Sequence, residues 1–188
     1  MIRKEPASES RRVRMTKRLL KDALVELLEK KSLAEVKVTE VCELADVNRS
    51  TFYSYYNDVF ELLGEIEIDF IDQIPGSSKG AKIENDKDSL YRFTEFFEYV
   101  KQHARDFNVL LLRADNAIFC RMMLDKIFSQ YSPTNSSRIQ GKDRYGYIFA
   151  MNGVLGIMRE WIADDFPMST EEFASFALNL CFNSNQTL

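Results

Sequence analysis

Nowhere does this chain sustain the alternating apolar and polar residues of a half-buried strand; its apolar side chains return at helical spacing instead. The first such stretch sets Leu19, Leu20, Ala23, Leu24, Leu27 and Leu28 on one stripe, with Lys17, Arg18, Lys21 and Glu26 largely off it. Helix breakers are scarce, with 7 Gly and 4 Pro in 188 residues. The periodicity predicts helices over 11–30, 38–44, 49–55, 58–74, 87–103, 106–114, 117–130, 142–163 and 170–183. The breaks fall at turn chemistry, Pro75-Gly76-Ser77-Ser78 and Ser132-Pro133-Thr134-Asn135-Ser136-Ser137. The expected fold is all-α, with about nine helices. The Pro75–Asn85 break lies between a smaller head and a larger body, and the helix before it can belong to both.

Several function classes lose support at this level. A hydrophobic fraction of 45% is that of an ordinary globular chain, and no apolar run approaches the ~20 residues needed to span a bilayer. The polar start, Met1 to Ser10, lacks the apolar stretch of a secretory signal. Cys42, Cys120 and Cys181 are far apart and odd in number, and His103 is the one histidine, so no metal-site spacing or disulfide framework emerges. A reducing cytoplasm is the expected compartment, and no cofactor is expected. No Gly-rich phosphate loop or paired nucleophile and base argues for an enzyme. His103, at a helix end, reads as a contact to that terminus, Cys42 as a core thiol, and Glu65-x-Glu67-x-Asp69 as a solvated helix face.

The net charge of −4 hides an asymmetry. Residues 1–60 carry 12 Lys/Arg against 10 Asp/Glu, whereas 61–188 carry 13 against 19; within 1–21 the ratio is 8 to 2. A basic end on an acidic body suits a chain of which one end meets phosphate, although a solvated basic terminus would look the same. The segment from Val36 to Tyr56 is the more informative one. Val38, Val41, Cys42 and Ala45 share one face of a short helix, Asp46-Val47 forms a tight break, and Asn48 is placed to cap a second helix by accepting from Ser50 or Thr51. Phe52 and Tyr56, four apart, face the core, leaving Arg49, Ser50, Thr51, Tyr53 and Tyr55 outward. Two short helices about a tight turn, the second with a donor-rich exposed face, fit a major groove, and the second helix's N-terminus favours a phosphate.

The run Thr51-Phe52-Tyr53-Ser54-Tyr55-Tyr56 resembles the second helix of the DNA-binding head of TetR-family regulators, and the match extends from the first helix to Glu61-Leu62-Leu63. Phe149 to Trp161, with Ser169-Thr170-Glu171-Glu172, is similar to the regulatory domain of a TetR subgroup common in Firmicutes. The resemblance implies a helix-turn-helix domain over 1–63 and a regulatory and dimerisation domain over 64–188. It implies that Arg49, Ser50 and Thr51 lie at the major groove, that Tyr53 and Tyr55 grip phosphates, that Lys17, Thr39 and the arm at Arg11, Arg12 and Arg14 add backbone or minor-groove contacts, and that Asn48 also belongs to the DNA-binding set. Arg49 is the expected base reader, since a guanidinium can bond a guanine edge through two donors. Three departures stand out: Asp46 at a turn position the family gives to Gly, Lys37 in place of a capping Thr (Thr39 being the substitute cap), and Val59 where the family has Lys.

The body is rich in aromatics and methionines, which read either as core or as pocket lining. The resemblance implies a pocket between the body helices. Phe96, Tyr99, Phe107, Phe119, Met122, Met123 and Tyr147 are its candidate lining, an apolar or aromatic small molecule its occupant, and Arg121 or Arg113 a polar handle. The 142–163 helix is apolar nearly all round from Tyr145 to Met158, so it is expected to be buried on every side, within one subunit or against a second. Gly153 and Gly156 admit a close helix there. A homodimer seam is expected at Val154, Ile157, Met158, Trp161, Phe173, Phe176 and Leu180, holding two recognition helices about one DNA turn, ~34–36 Å, apart on a near-palindromic operator. The expected function is that of a ligand-responsive homodimeric repressor binding double-stranded DNA. The alternative is a helical co-regulator that works through a protein partner with little DNA binding of its own.

Overall fold

The computed structural model describes residues 10–74, 86–113, 117–128 and 142–186. Nine α-helices occur among them: α1 Arg11–Leu28, α2 Val38–Ala45, α3 Arg49–Tyr53, α4 Val59–Gln73, α5 Asp86–Gln102, α6 Ala104–Phe107, α7 Ala117–Phe128, α8 Lys142–Ala163 and α9 Thr170–Gln186. No strand occurs among the described residues, as the missing alternation predicts. No described helix is long and apolar enough to cross a membrane. The chain divides between Ile68 and Asp69 into two compact units. The turn-rich segments 75–85 and 132–137 lie outside the described residues, as do the side chains of Arg113 and Cys181.

In the first unit, Ser10 Oγ accepts from the Val13 N–H at 3.3 Å and starts α1. Leu20, Ala23, Leu24 and Leu28 then turn inward and are buried, while Leu19 and Leu27, expected on the same stripe, flank it, Leu19 exposed and Leu27 half-buried. A 3₁₀ turn, Leu33–Glu35, follows. It is closed by the Glu35 carboxylate, which accepts from the Ser32 backbone N–H at 3.0 Å and the Ser32 hydroxyl at 2.7 Å. The α2 start corrects an expectation. Thr39 does not take over as cap; it is the second residue of the helix, and Lys37 holds the cap position. An ammonium has no lone pair to offer, so the closure comes from Glu40, whose carboxylate accepts from the Lys37 N–H at 2.9 Å and from Lys31 Nζ at 2.6 Å. Those bonds, Lys31 first, hold the Glu40 carboxyl below the usual carboxylate range. At α4 the Asp58 carboxylate accepts from the Glu61 N–H at 2.9 Å while the Glu61 side chain accepts from the Asn57 N–H at 2.8 Å, a reciprocal closure.

The second unit is built on rings. Phe97 meets Phe173 edge to face at 4.8 Å between centroids, and Trp161 stacks on Phe173 at 4.4 Å and 7°. Phe70 meets Phe107 at 4.7 Å. Such pairs add about 0.5–1.5 kcal/mol each to the area they bury. Trp161 Nε1 donates to the Met168 carbonyl at 3.1 Å, so its polar edge is satisfied. The Thr170 hydroxyl donates to Glu98 and links α9 to α5. Ser169 and Glu172 close the α9 start, the carboxylate accepting from the Ser169 N–H at 3.0 Å.

One helix expected over 106–114 is two elements. α6 ends at Phe107 and the chain widens into a π-helical turn, Asn108–Arg113. Val109, Leu110 and Leu111 are all buried.

Candidate nucleic-acid interface

The connection between α2 and α3 is a Schellman closure made without glycine. Asp46 is left-handed, at φ 52° and ψ 44°. Its N–H reaches the Glu43 carbonyl at 3.3 Å, and the next N–H, of Val47, reaches the Cys42 carbonyl at 2.9 Å. Val47 is half-buried. Asp is among the few side chains that tolerate this backbone, which is how the head keeps the turn without the family's Gly. Cys42 is buried, and burial pushes its thiol up, as a packed core thiol requires.

Beyond the turn, Asn48 occupies the cap position in extended backbone, but its side chain makes no capping bond, contrary to expectation. The α3 start is held by backbone alone: the Asn48 carbonyl accepts from Thr51 N–H at 2.9 Å and Phe52 N–H at 3.0 Å. The Asn48 amide therefore stays at the surface. Phe52 and Tyr56 are 0% and 2% exposed, with ring centroids 5.7 Å apart, as their spacing predicts. That leaves Arg49, Ser50 and Tyr53 exposed, and Thr51 and Tyr55 half-buried. α3 ends at Tyr53, so Tyr55 stands just past the helix, where the Tyr55 and Tyr56 N–H groups both bond the Phe52 carbonyl. Arg11, Arg12 and Arg14 are exposed on the first turn of α1, and Thr39 is half-buried on α2.

Two side chains depart from their expected surroundings. Lys17 Nζ lies 3.4 and 3.2 Å from the two oxygens of Glu65 and 5.6 Å from the Tyr56 ring centroid. The acidic run on α4 is not a solvated face: Glu65 is bound by lysines of α1, and Glu67 is buried. Acidic residues two apart on a helix point in different directions, and here Glu65 is half-buried, Glu67 buried and Asp69 exposed. Val59, where the family places Lys, is buried at the head of α4.

In the second unit, Phe96, Tyr99, Phe107, Phe119 and Met123 are buried, and all four rings pack about Phe70 or one another. They are brought together in the buried interior of the unit. Met122 is not among them; it lies outward on α7 beside exposed Arg121, because Phe119, Cys120, Met123 and Leu124 take the inner face. Tyr147 is half-buried, with its hydroxyl 3.5 Å from Asp125 Oδ1. Burial and the neighbouring Asp125 carboxylate push that phenol up to about 12.

Of the residues expected at a seam, Val154, Met158, Trp161 and Phe173 are buried within the one chain, while Ile157 is half-buried and Phe176 and Leu180 are exposed. α8 is not buried on every side. Tyr145 and Phe149 are 75% and 68% exposed, and the same ridge continues through Asn152, Gly153 and Gly156. Between this ridge and α9 runs an apolar groove of about 400 Å³, lined by Gly153, Gly156, Ile157, Trp161, Phe173 and Phe176 among others. The groove follows from Gly153 and Gly156, beside which a Cβ would meet nothing within 4 Å. His103 follows the end of α5, its N–H on the Tyr99 carbonyl at 3.0 Å, and stands at the start of α6 without a side-chain capping bond; its ring lies 4.2 Å from that of Tyr99 and its Nδ1 4.0 Å from Asp106.

Residues 87–183 match the sequence profile of a TetR-type transcriptional regulator C-terminal region. The chain belongs to the TetR family of transcriptional regulators. Solved structures share its fold at low identity. A TetR transcriptional regulator from Streptococcus agalactiae 2603V superposes with a TM-score of 0.66 at 18% identity, over 91% of this chain and 96% of that one. NalD of Pseudomonas aeruginosa, the secondary repressor of the MexAB-OprM multidrug efflux pump, gives 0.61 at 15%, over 92% and 97%. The regulator FadR from Bacillus subtilis, solved in complex with stearoyl-CoA, gives 0.59 at 16%, over 87% and 96%. Among curated proteins, none matches the chain.

Proposed function

We propose that this TetR-family regulator is a homodimeric repressor that reads a near-palindromic operator and releases it when a small molecule occupies the body. The observation that carries the reading is the α3 surface: Arg49, Ser50 and Tyr53 are exposed on a short helix backed by buried Phe52, with buried Tyr56 three residues past its end. Rigid backing with an exposed donor-rich front is what base and phosphate contacts need. Arg49 reads a base, Ser50 and Thr51 stand beside it, and Tyr53, Tyr55, Asn48, Thr39 and the Arg11–Arg14 arm contact phosphates. The head takes residues 1–63 and the regulatory body 64–188.

The dimer reading rests on the exposed α8 ridge and the apolar groove beside it, a surface of the kind that a second copy covers. The effector reading rests on the aromatic cluster around Phe96, Tyr99, Phe107 and Phe119, whose opening would admit an apolar or aromatic molecule. FadR of Bacillus subtilis, of similar fold, is solved with stearoyl-CoA, whose long acyl chain is apolar although its coenzyme A head is charged. An effector shifts DNA affinity only through its differential affinity for the two conformations.

Mobility-shift titration of the purified protein on the DNA upstream of its own gene, beside an Arg49→Ala/Tyr53→Ala variant and across a salt series, tests the reading. Specific, salt-sensitive binding by wild type that the variant loses is expected. Binding no tighter than to unrelated DNA refutes it and points to a protein partner instead. A promoter reporter that rises when the gene is deleted is the expected sign; a fall would make the protein an activator.

A further inference from the structure

Glu65 of α4 gathers two cations from one face of α1. Lys17 Nζ is 3.2 Å and Lys21 Nζ 2.8 Å from its carboxylate, and the two lysine side chains are only 22% and 19% exposed. The spacing is one helical turn, so both ammonium groups reach the same carboxylate side by side. Burial alone would raise the Glu65 carboxyl, but bonds and charge from Lys21, then Lys17, with the Tyr56 hydroxyl adding to them, outweigh it and hold the group below the usual carboxylate range. Lys17 also lies over two rings at the end of the recognition helix, 6.0 Å from the Tyr55 centroid and 5.6 Å from that of Tyr56. One ammonium thus ties α1, the exit of α3 and the second turn of α4.

We propose that Lys17, acting through Glu65, is a positioning residue for α3, setting the angle at which Arg49 and Tyr53 are presented, and not a phosphate contact. The proposal rests on the DNA-binding reading above. It departs from the role that the family resemblance implies for Lys17. That ammonium is paired with a carboxylate, which it shares with Lys21, and its side chain is only 22% exposed.

The sign of one substitution separates the two roles. If Lys17 served DNA through its charge, removing it would weaken binding, and removing the opposing Glu65 charge would strengthen binding. If the pair positions α3, both losses weaken specific binding. The experiment compares wild type, Lys17→Met, Glu65→Gln and the double variant on a duplex selected by the wild-type protein from a random-sequence library. An unselected duplex serves as control, at a temperature where circular dichroism shows every protein folded, across a salt series. Expected are losses of about tenfold in affinity for the selected duplex in each single variant and no further loss in the double one. Affinity for the unselected duplex and the slope of log K against log salt stay unchanged. A slope lowered by about one unit in Lys17→Met, or tighter binding by Glu65→Gln, overturns the proposal. Should Glu65→Gln fail to fold, Lys17→Met, which keeps the apolar stem, decides the matter by its slope alone. A wild-type protein that enriches no sequence refutes the DNA-binding reading itself, and the proposal with it.

Discussion

Asp46 is the residue whose replacement should most directly improve the head. It holds φ 52° and ψ 44° at the left-handed closure of α2, on an exposed corner. A left-handed backbone costs an L-residue roughly 1–2 kcal/mol, less for Asp because its short side chain bonds locally. Glycine removes that strain but gives back roughly 0.5–1 kcal/mol through the greater freedom of the unfolded chain. The difference leaves Asp46→Gly more stable by about 0.5 kcal/mol, whereas Asp46→Ala, which keeps a Cβ in the left-handed backbone that alanine tolerates less well than aspartate, should be less stable by about the same amount. In a unit of this size 0.5 kcal/mol moves a melting midpoint by about 2–4 °C. The sharper assay is amide exchange, because the Val47 N–H is held by the Cys42 carbonyl at 2.9 Å across the turn itself. Exchange over α2 and Val47 should slow about twofold in Asp46→Gly and quicken about twofold in Asp46→Ala. Faster exchange in the glycine variant would show that the closure depends on the Asp side chain and not on tolerance of its backbone.

Three further outcomes are expected. Phe173→Ala removes a side chain that is 1% exposed and sandwiched between Trp161 and Phe97, so urea unfolding followed at Trp161 should lose about 3–5 kcal/mol; a loss under 1 would mean that the site collapses around the gap. Val59→Lys lays its stem in the buried valine site and carries an ammonium to the surface of the head. A mobility-shift salt series should show the slope steepen by about one unit, and an unchanged slope would mean no phosphate lies within reach. Glu35, Glu40 and Glu65 all have folded-state carboxyls held below the ordinary range, so their contribution is present above about pH 4.5 and is lost as pH falls through the lowered values. Urea midpoints measured from pH 6 to pH 3 should therefore fall, and fall less in Glu40→Gln.

Local spacing and tertiary context divide what the sequence discloses. Phe52 and Tyr56, four apart, had to face one way, and the structure buries both. The apolar stripe of α1 and the bounds of α8 follow from the same periodicity. What periodicity cannot carry is a pairing between distant positions. Lys17 reads as a surface cation because Glu65 is 48 residues away, and Glu67 reads as solvated because its burial depends on elements elsewhere in the chain. Cap chemistry was legible in kind but not in partner: Asn48 has the right type and position, yet backbone carbonyls start α3 without its side chain. Apolar character likewise marks a residue for burial without saying against what: Trp161 and Phe173 stack on each other and also line the groove beside α8.

That stack has a practical consequence. Trp161 is the chain's one tryptophan; it lies at 7° over Phe173, with its indole N–H tied to the Met168 carbonyl, and forms part of the apolar groove wall beside α8. Its emission therefore arises from a single, fixed environment at the face where a second molecule would arrive. The protein carries its own optical reporter there, one that reads occupancy of that face in unlabelled material and is silent about events confined to the tyrosine-only head.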